Sequence, residues 1–214
     1  MNGIIMRNNG VYRLHIITSV ILTFILITLM IFSYSACERK KIKDFTLRDG
    51  IAHFCFTYPA SYGEPYVELG YAPSTTNVSI RRAPVAESDF PVYLWIRVKE
   101  ASPESSNAEQ EVKSLVILLE TNVTNAIDPI FSSFGSIKSC RTIVANIDAY
   151  LLVYKAWWQD DFHNTHISTD AIIRNAFFDC DGLIWQISLV SPLENTEEAE
   201  AEFDSILQTF RILD

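Results

Sequence analysis

Glycine is scarce in this chain, with seven residues in 214. A glycine-rich loop around a nucleotide phosphate is therefore hard to place, and the pattern G-x-x-x-x-G-K is missing. The nucleophile elbow G-x-S-x-G and the zinc-protease pattern H-E-x-x-H are missing too. Asp179 and Asp181 flank a turn and read as solvated, because a general acid–base pair needs a cleft around it. Among Cys37, Cys55, Cys140 and Cys180 no pair has C-x-x-C spacing, which argues against a thiol-redox motif or a zinc knuckle. Basic residues are the minority, 17 Lys and Arg against 26 Asp and Glu, for a net charge of −9. A chain this acidic, with no clustered basic face on its body, is not expected to bind nucleic acid. These absences predict a protein without a cofactor and without enzymatic activity. No internal repeat is visible.

Charge is also missing from one long stretch, and that absence is informative. Leu14 to Cys37 carries no charged residue, with His15 taken as neutral, and its apolar heart is Ile16 to Phe32. A helix needs about 20 mostly apolar residues to span a bilayer, and a cleavable signal about 7–15. This stretch sits between the two cases. It ends in Ser33-Tyr34-Ser35-Ala36-Cys37. Small residues before a cysteine resemble the bacterial lipoprotein signal, in which that cysteine receives the lipid. The usual Leu three places before the cysteine is Tyr34 here. Residues 1–36 are thus expected to be a signal or membrane segment, with Cys37 lipidated and the body on the extracytoplasmic face. An uncleaved single-pass helix is the alternative. The flanks favour it: Arg7 and Arg13 precede the segment, while Arg39, Lys40, Lys41 and Lys43 follow it, and excess Lys and Arg mark the cytoplasmic side. The Ala36-Cys37 junction favours export.

Residues 1–36 contain Arg7 and Arg13 and no acid, so the remainder carries −11, the chain's −9 less those two positive charges. Residues 37–50 read as a basic linker. Its cations suit anionic headgroups, at about 1 kcal/mol per basic residue near the surface, or simply solvation. With Cys37 lipidated, three thiols remain; the simplest reading is three small buried residues.

Residues 51–214 read as one α+β domain. Ile51–Tyr58 alternates, with Ala52, Phe54, Phe56 and Tyr58 on one face, and Pro59 ends the run. A short edge strand is expected at Tyr66–Leu69. A weak strand follows at Asn77–Arg82, with Val78 and Ile80 inward. A clear one spans Val92–Lys99, where Val92, Leu94, Ile96 and Val98 alternate with Tyr93, Trp95, Arg97 and Lys99. Ser102-Pro103 predicts the start of a helix running to Asn122, with Val112, Leu115, Val116 and Leu119 as its buried stripe. Ile130, Phe131 and Phe134 predict a packed loop or short helix closed by Gly135. Four strands follow: Cys140–Ala145 and Ala149–Trp158 around a turn at Asn146–Asp148, then Asp170–Asp179 and Leu183–Val190 around Asp181-Gly182. Asp-Gly between apolar runs is a strong hairpin signal. Asn195 and Glu198 stand at capping-box spacing for a last helix to Phe210. Its apolar face is Ala199, Phe203, Ile206, Leu207 and Phe210. Hairpin-linked strands with two amphipathic helices predict an antiparallel sheet flanked by helices.

Three pieces carry a family resemblance. Phe54-Cys-Phe-Thr-Tyr-Pro59 followed by Tyr62 resembles the F-x-F-x-Y-P-x-x-W opening of PsbP-like domains, with Tyr62 in place of Trp. The hairpin Phe177–Leu189 resembles their penultimate pair. Phe203-Asp-Ser-Ile-Leu-Gln-Thr-Phe210 is similar to their closing helix. The resemblance implies an α/β/α sandwich and non-enzymatic roles: assembly factors, partner binders and surface lipoproteins. Its motifs are packing residues.

Two clusters are candidate sites. Tyr58, Tyr62, Tyr66 and Tyr71, interleaved with Pro59, Pro65 and Pro73, suit a protein-partner surface, since tyrosine gives broad contact area at low entropic cost. The competing reading is rings packed over the sheet edge. His163 and His166, with Asp160 or Asp161, have the donor chemistry for zinc or copper, which leaves a metal-binding protein or metal-dependent hydrolase as the alternative function. H-x-x-H in a loop more often belongs to a solvated connection.

Overall fold

Asp181 and Gly182 both take positive φ, 53° and 76°. That is the type I′ geometry a two-residue hairpin prefers, and few residues other than Gly, Asn and Asp adopt it readily. The turn joins two long strands that lie at the heart of a computed structural model. The structure describes residues 42–71, 74–82, 91–101, 107–125, 133–160 and 167–214. In chain order the strands are β1 (Ile42–Leu47), β2 (Phe54–Pro59), β3 (Tyr66–Tyr71), β4 (Ser74–Arg82), β5 (Val92–Glu100), β6 (Ser133–Val144), β7 (Ile147–Asp160), β8 (Ile167–Cys180), β9 (Leu183–Pro192) and β10 (Arg211–Ile212). The helices are α1 (Ala108–Asn125) and α2 (Thr196–Thr209). One sheet has seven strands in the order β3-β4-β5-β9-β8-β7-β6, and a smaller one has three in the order β1-β2-β10. Every pairing is antiparallel.

Several local expectations are corrected. The stretch 37–50, read as a linker, contains β1 over Ile42–Leu47, paired with β2 so that Phe45 faces Phe56 and Leu47 faces Phe54. Its inward set is Lys43, Phe45 and Leu47, and only two of those are apolar, so the alternation was faint. Lys43 reaches instead to the Tyr62 carbonyl at 3.3 Å and to Glu64 at 2.9 Å. Phe134 and Gly135, read as a packed loop, belong to β6, whose register against β7 shifts between Phe134 and Lys138; Ile130 and Phe131 lie outside the described residues. The β6–β7 turn is Ala145-Asn146, φ 52° and 64°, one residue earlier than expected.

Helix α1 starts at Ala108 rather than near Ser102-Pro103, which lie outside the described residues. Asn107 caps it, its Oδ1 accepting from Gln110 N at 2.9 Å. Asp179, expected to be merely solvated, accepts from Ala108 N at 2.8 Å and ties the helix start to β8. Val112 and Leu119 are buried and Leu115 and Val116 half-buried, as the stripe requires. For α2 the expected capping box is absent: Asn195 makes no side-chain cap bond. A single 3₁₀ turn, Leu193–Asn195, leads in, and Thr196 Oγ1 donates to Leu193 O at 2.6 Å.

The large sheet is covered diagonally. On one face lie α2 and the small sheet, over a core that includes Phe54, Phe56, Leu94, Phe178, Trp185, Phe203 and Phe210, each no more than 2% exposed. Phe210 stacks on Phe54 at 5.4 Å and meets Trp185 edge-on at 5.8 Å. Burying such side chains stabilises by roughly 1.5–3 kcal/mol each. On the opposite face α1 packs against β6, β7 and β8, over Leu152, Ala171, Ile173 and Phe177. Its described packing reaches as far as β5, where Lys99 pairs with Glu111 and where Tyr93 and Trp95 border the same cluster. The three described cysteines are free, but none is buried as expected: Cys140 is exposed, and Cys55 and Cys180 are half-buried. Among the described residues no helix is long and apolar enough to cross a membrane; Leu14–Cys37 lies outside them.

Candidate functional site

The four tyrosines do not share a surface. Tyr58 is 3% exposed on the inward face of β2, and Tyr62 is 1% exposed; Tyr66 is 67% exposed on edge strand β3. Tyr71 ends β3, and its side chain lies outside the described residues. Tyr62 is instead a structural anchor. Its hydroxyl donates to Glu202 Oε2 at 2.9 Å, and Arg82 Nη1 lies 3.2 Å from Oε1 and 3.3 Å from Oε2 of the same carboxylate. Glu202 is 4% exposed in the middle of the apolar face of α2. Burial first, and then the Glu202 charge, hold the Tyr62 phenol far above its ordinary range. The guanidinium also lies 5.9 Å over the Tyr62 ring. Three separate segments, the turn after β2, the end of β4 and helix α2, meet at this carboxylate. Sequence reasoning missed it because a glutamate beside an apolar stripe ordinarily reads as solvated.

Of the metal candidates, Asp161, His163 and His166 lie outside the described residues, and Asp160 is described only as the last residue of β7. Among the described residues no group of three or more His, Cys, Asp or Glu is placed to hold a metal ion.

Among the described residues, the face that carries α1 also has a concave surface over β3, β4, β5 and β9. Cross-strand register builds it in two rows. Tyr66 pairs with Ser79, Ser79 with Trp95, and Trp95 with Ser188; one step along, Glu68 pairs with Asn77, Asn77 with Arg97, and Arg97 with Gln186. These residues line a groove of about 360 Å³. Trp95 is held from behind by Tyr93, rings 5.3 Å apart and 4° from parallel. Tyr93 in turn carries the Arg81 guanidinium at 5.6 Å. At the inner end Gln186 Nε2 donates to Ser188 Oγ at 3.0 Å and to Asn175 Oδ1 at 3.3 Å, while the Ser188 hydroxyl donates to Asn175 Oδ1 at 2.5 Å. Asn175 and Ser188 are 2% and 5% exposed, so this network is fixed before any ligand arrives. Beyond the groove Lys99 Nζ meets Glu111 of α1 at 2.7 Å. The outward set of β5, Tyr93, Trp95, Arg97 and Lys99, was legible as alternation. Its neighbours across the sheet were not, because strand order is non-local.

Comparison with family models finds no match, and comparison with curated proteins finds none either. Solved structures do match. Cyanobacterial PsbP (CyanoP) of Synechocystis superposes with a TM-score of 0.51 at 13% identity, over 83% of this chain and 95% of that one. LpqN of Mycobacterium tuberculosis, described as involved in cell envelope biogenesis, gives 0.43 at 10% identity, over 81% and 92%. PA94 of Pseudomonas aeruginosa gives 0.43 at 14%, over 78% and 94%. The CyanoP superposition gives the chain a PsbP-like fold, an antiparallel α+β arrangement, as the three sequence pieces implied.

Proposed function

We propose that this PsbP-like domain is the binding or assembly module of a membrane-anchored extracytoplasmic lipoprotein, and that it is not an enzyme. The observation that carries the reading is the groove over β3, β4, β5 and β9, lined by Tyr66, Trp95, Arg97, Gln186 and Ser188, the last two tied to the buried Asn175. A concave surface with a few fixed polar groups and aromatic walls is the usual form of a ligand site. Its described lining holds neither His nor Cys, and its one carboxylate, Glu68, stands in the Asn77–Arg97 row and not in the row of Ser79 and Ser188. Anchoring rests on the sequence: the uncharged run Leu14–Cys37 and the Ala36-Cys37 junction. One acyl chain holds weakly and two or more hold firmly.

The test has two arms. Mass spectrometry of protein from its native membranes should find Cys37 as a diacylglycerol-modified amino terminus; an intact Met1 with a protease-shielded body would place the domain in the cytoplasm instead. A photo-crosslinking residue at Tyr66 or Arg97 should capture a bound species in those membranes, while the same residue at Ile143, 65% exposed on the far edge strand, should not. Equal capture at both places overturns the groove as the site.

A further inference from the structure

We infer that the groove takes a neutral saccharide, a short stretch of glycan held between Tyr66 and Trp95. The inference rests on the binding reading and names its ligand class.

Charge narrows the class first. The chain beyond residue 36 carries −11, yet the groove lining holds one acid, Glu68, and one base, Arg97. An anionic ligand would approach an acidic body with one guanidinium to receive it. A cationic ligand would find that guanidinium on the floor. An uncharged ligand meets neither penalty.

The hydrogen-bonding groups narrow it further. Asn77 is an amide and Ser79 a hydroxyl that both donate and accept; Glu68 only accepts and Arg97 only donates; Gln186, whose amide nitrogen is bound to Asn175 and Ser188, presents its carbonyl oxygen as an acceptor. Each hydroxyl of a sugar also both donates and accepts, so adjacent hydroxyls match this mixed set on neighbouring strands. The rows then set the shape. Tyr66, Ser79 and Trp95 stand opposite one another on β3, β4 and β5. Two strand spacings separate the aromatic residues by about 10 Å. The small serine between them leaves a slot with an aromatic wall at each end and a hydroxyl on its floor. Sugar rings present C–H faces that pack on aromatic rings and edges that need hydrogen bonds, which is what walls and floor supply. Stacking on Tyr93 restrains the Trp95 ring in advance, which lowers the cost of ordering it.

A peptide fits less well. Peptide recognition by strand addition takes affinity from backbone bonds and specificity from side-chain pockets. Ile96 is the aliphatic member of the lining, and its side chain is 1% exposed in the core beneath, so the groove has no apolar pocket for a peptide side chain.

The experiment uses the full chain in a detergent without a sugar headgroup, probed on an array of neutral, uronic and phosphorylated oligosaccharides and by calorimetry on the hits. The expected result is binding to neutral glycans with a change in tryptophan fluorescence and little change between about 50 and 500 mM salt. Tyr66→Ala, at a site 67% exposed, should leave the circular dichroism spectrum unchanged and weaken binding about tenfold. Gln186→Leu should weaken it as well, and a folded Gln186→Leu protein that binds normally counts against the inference. Binding only to charged glycans, or neutral binding indifferent to Tyr66→Ala, overturns it. A blank array with crosslinker capture retained at Tyr66 removes the saccharide and leaves the binding reading standing, with a captured peptide as the replacement ligand. A blank array with no capture removes both.

Discussion

Replacing Tyr62 by Phe removes one oxygen and keeps the ring, which isolates the hydrogen bond to Glu202. That bond is 2.9 Å long and ends on a carboxylate 4% exposed. A hydrogen bond to a charged group contributes about 1.5–3 kcal/mol, so Tyr62→Phe should destabilise by about 2 kcal/mol. Arg82→Leu is the harsher change. It strips the guanidinium from both carboxylate oxygens, at 3.2 and 3.3 Å, and also from Glu198 at 3.5 Å. Removing one partner of a buried ion pair costs about 3–5 kcal/mol. The Arg82 side chain is 15% exposed, so the loss should fall near the lower end, about 3 kcal/mol. Glu202→Gln keeps the shape and still offers Tyr62 an oxygen, but without the charge. On that background Tyr62→Phe should cost less than alone, with a coupling of about 1 kcal/mol. The assay is urea unfolding of residues 42–214 at neutral pH, comparing midpoints at constant slope. If Tyr62→Phe loses under about 0.5 kcal/mol, or if Arg82→Leu is milder than Tyr62→Phe, the carboxylate is solvated and the reasoning fails.

Alkali should also unfold this domain through its tyrosines. Burial raises the phenols of Tyr62, Tyr154 and Tyr58 above their ordinary range, most strongly Tyr62. In the unfolded chain all three ionise near pH 10, while in the fold they hold their protons to higher pH, Tyr62 furthest. The native state then holds more protons, so stability is full below pH 10 and falls above it, by up to about 1.4 kcal/mol per pH unit for each tyrosine. Urea midpoints measured from pH 9 to about 11.5 should show that decline, and Tyr62→Phe should make it shallower; an unchanged slope refutes the assignment to Tyr62. For the loop with Asp160, Asp161, His163 and His166, a zinc or copper titration at neutral pH should show no tight binding and no effect of His163→Ala with His166→Ala. Stoichiometric binding lost on those substitutions would replace the binding module by a metal protein.

The groove and the Glu202 anchor explain why sequence reasoning reached the fold more fully than the site. The strong local patterns survived: β5 lies where Val92, Leu94, Ile96 and Val98 alternate, and the β8–β9 hairpin turns at Asp181-Gly182. The failures sit where a segment borrows its structure from a distant partner. β1 is a strand because β2 is beside it, with Lys43 tied to Glu64 across 21 residues. Asp179 caps a helix that begins 71 residues earlier in the chain. The tyrosines illustrate the same limit: Tyr62 and Tyr66 are four residues apart, yet one is buried on a carboxylate and the other stands on the groove.

Composition, periodicity and turn chemistry determined the elements, their class and the uncharged run at Leu14–Cys37, because each depends on residues a few positions apart. Only the tertiary structure decided the strand order, and with it which strands line the groove. Helix α1 packs mainly over β6, β7 and β8, at the other end of that order. The strand order places Tyr66, Ser79, Trp95 and Ser188 in one row across four strands, though they span more than a hundred residues of chain. Side-chain alternation says which way a residue faces, but not which residue will stand beside it.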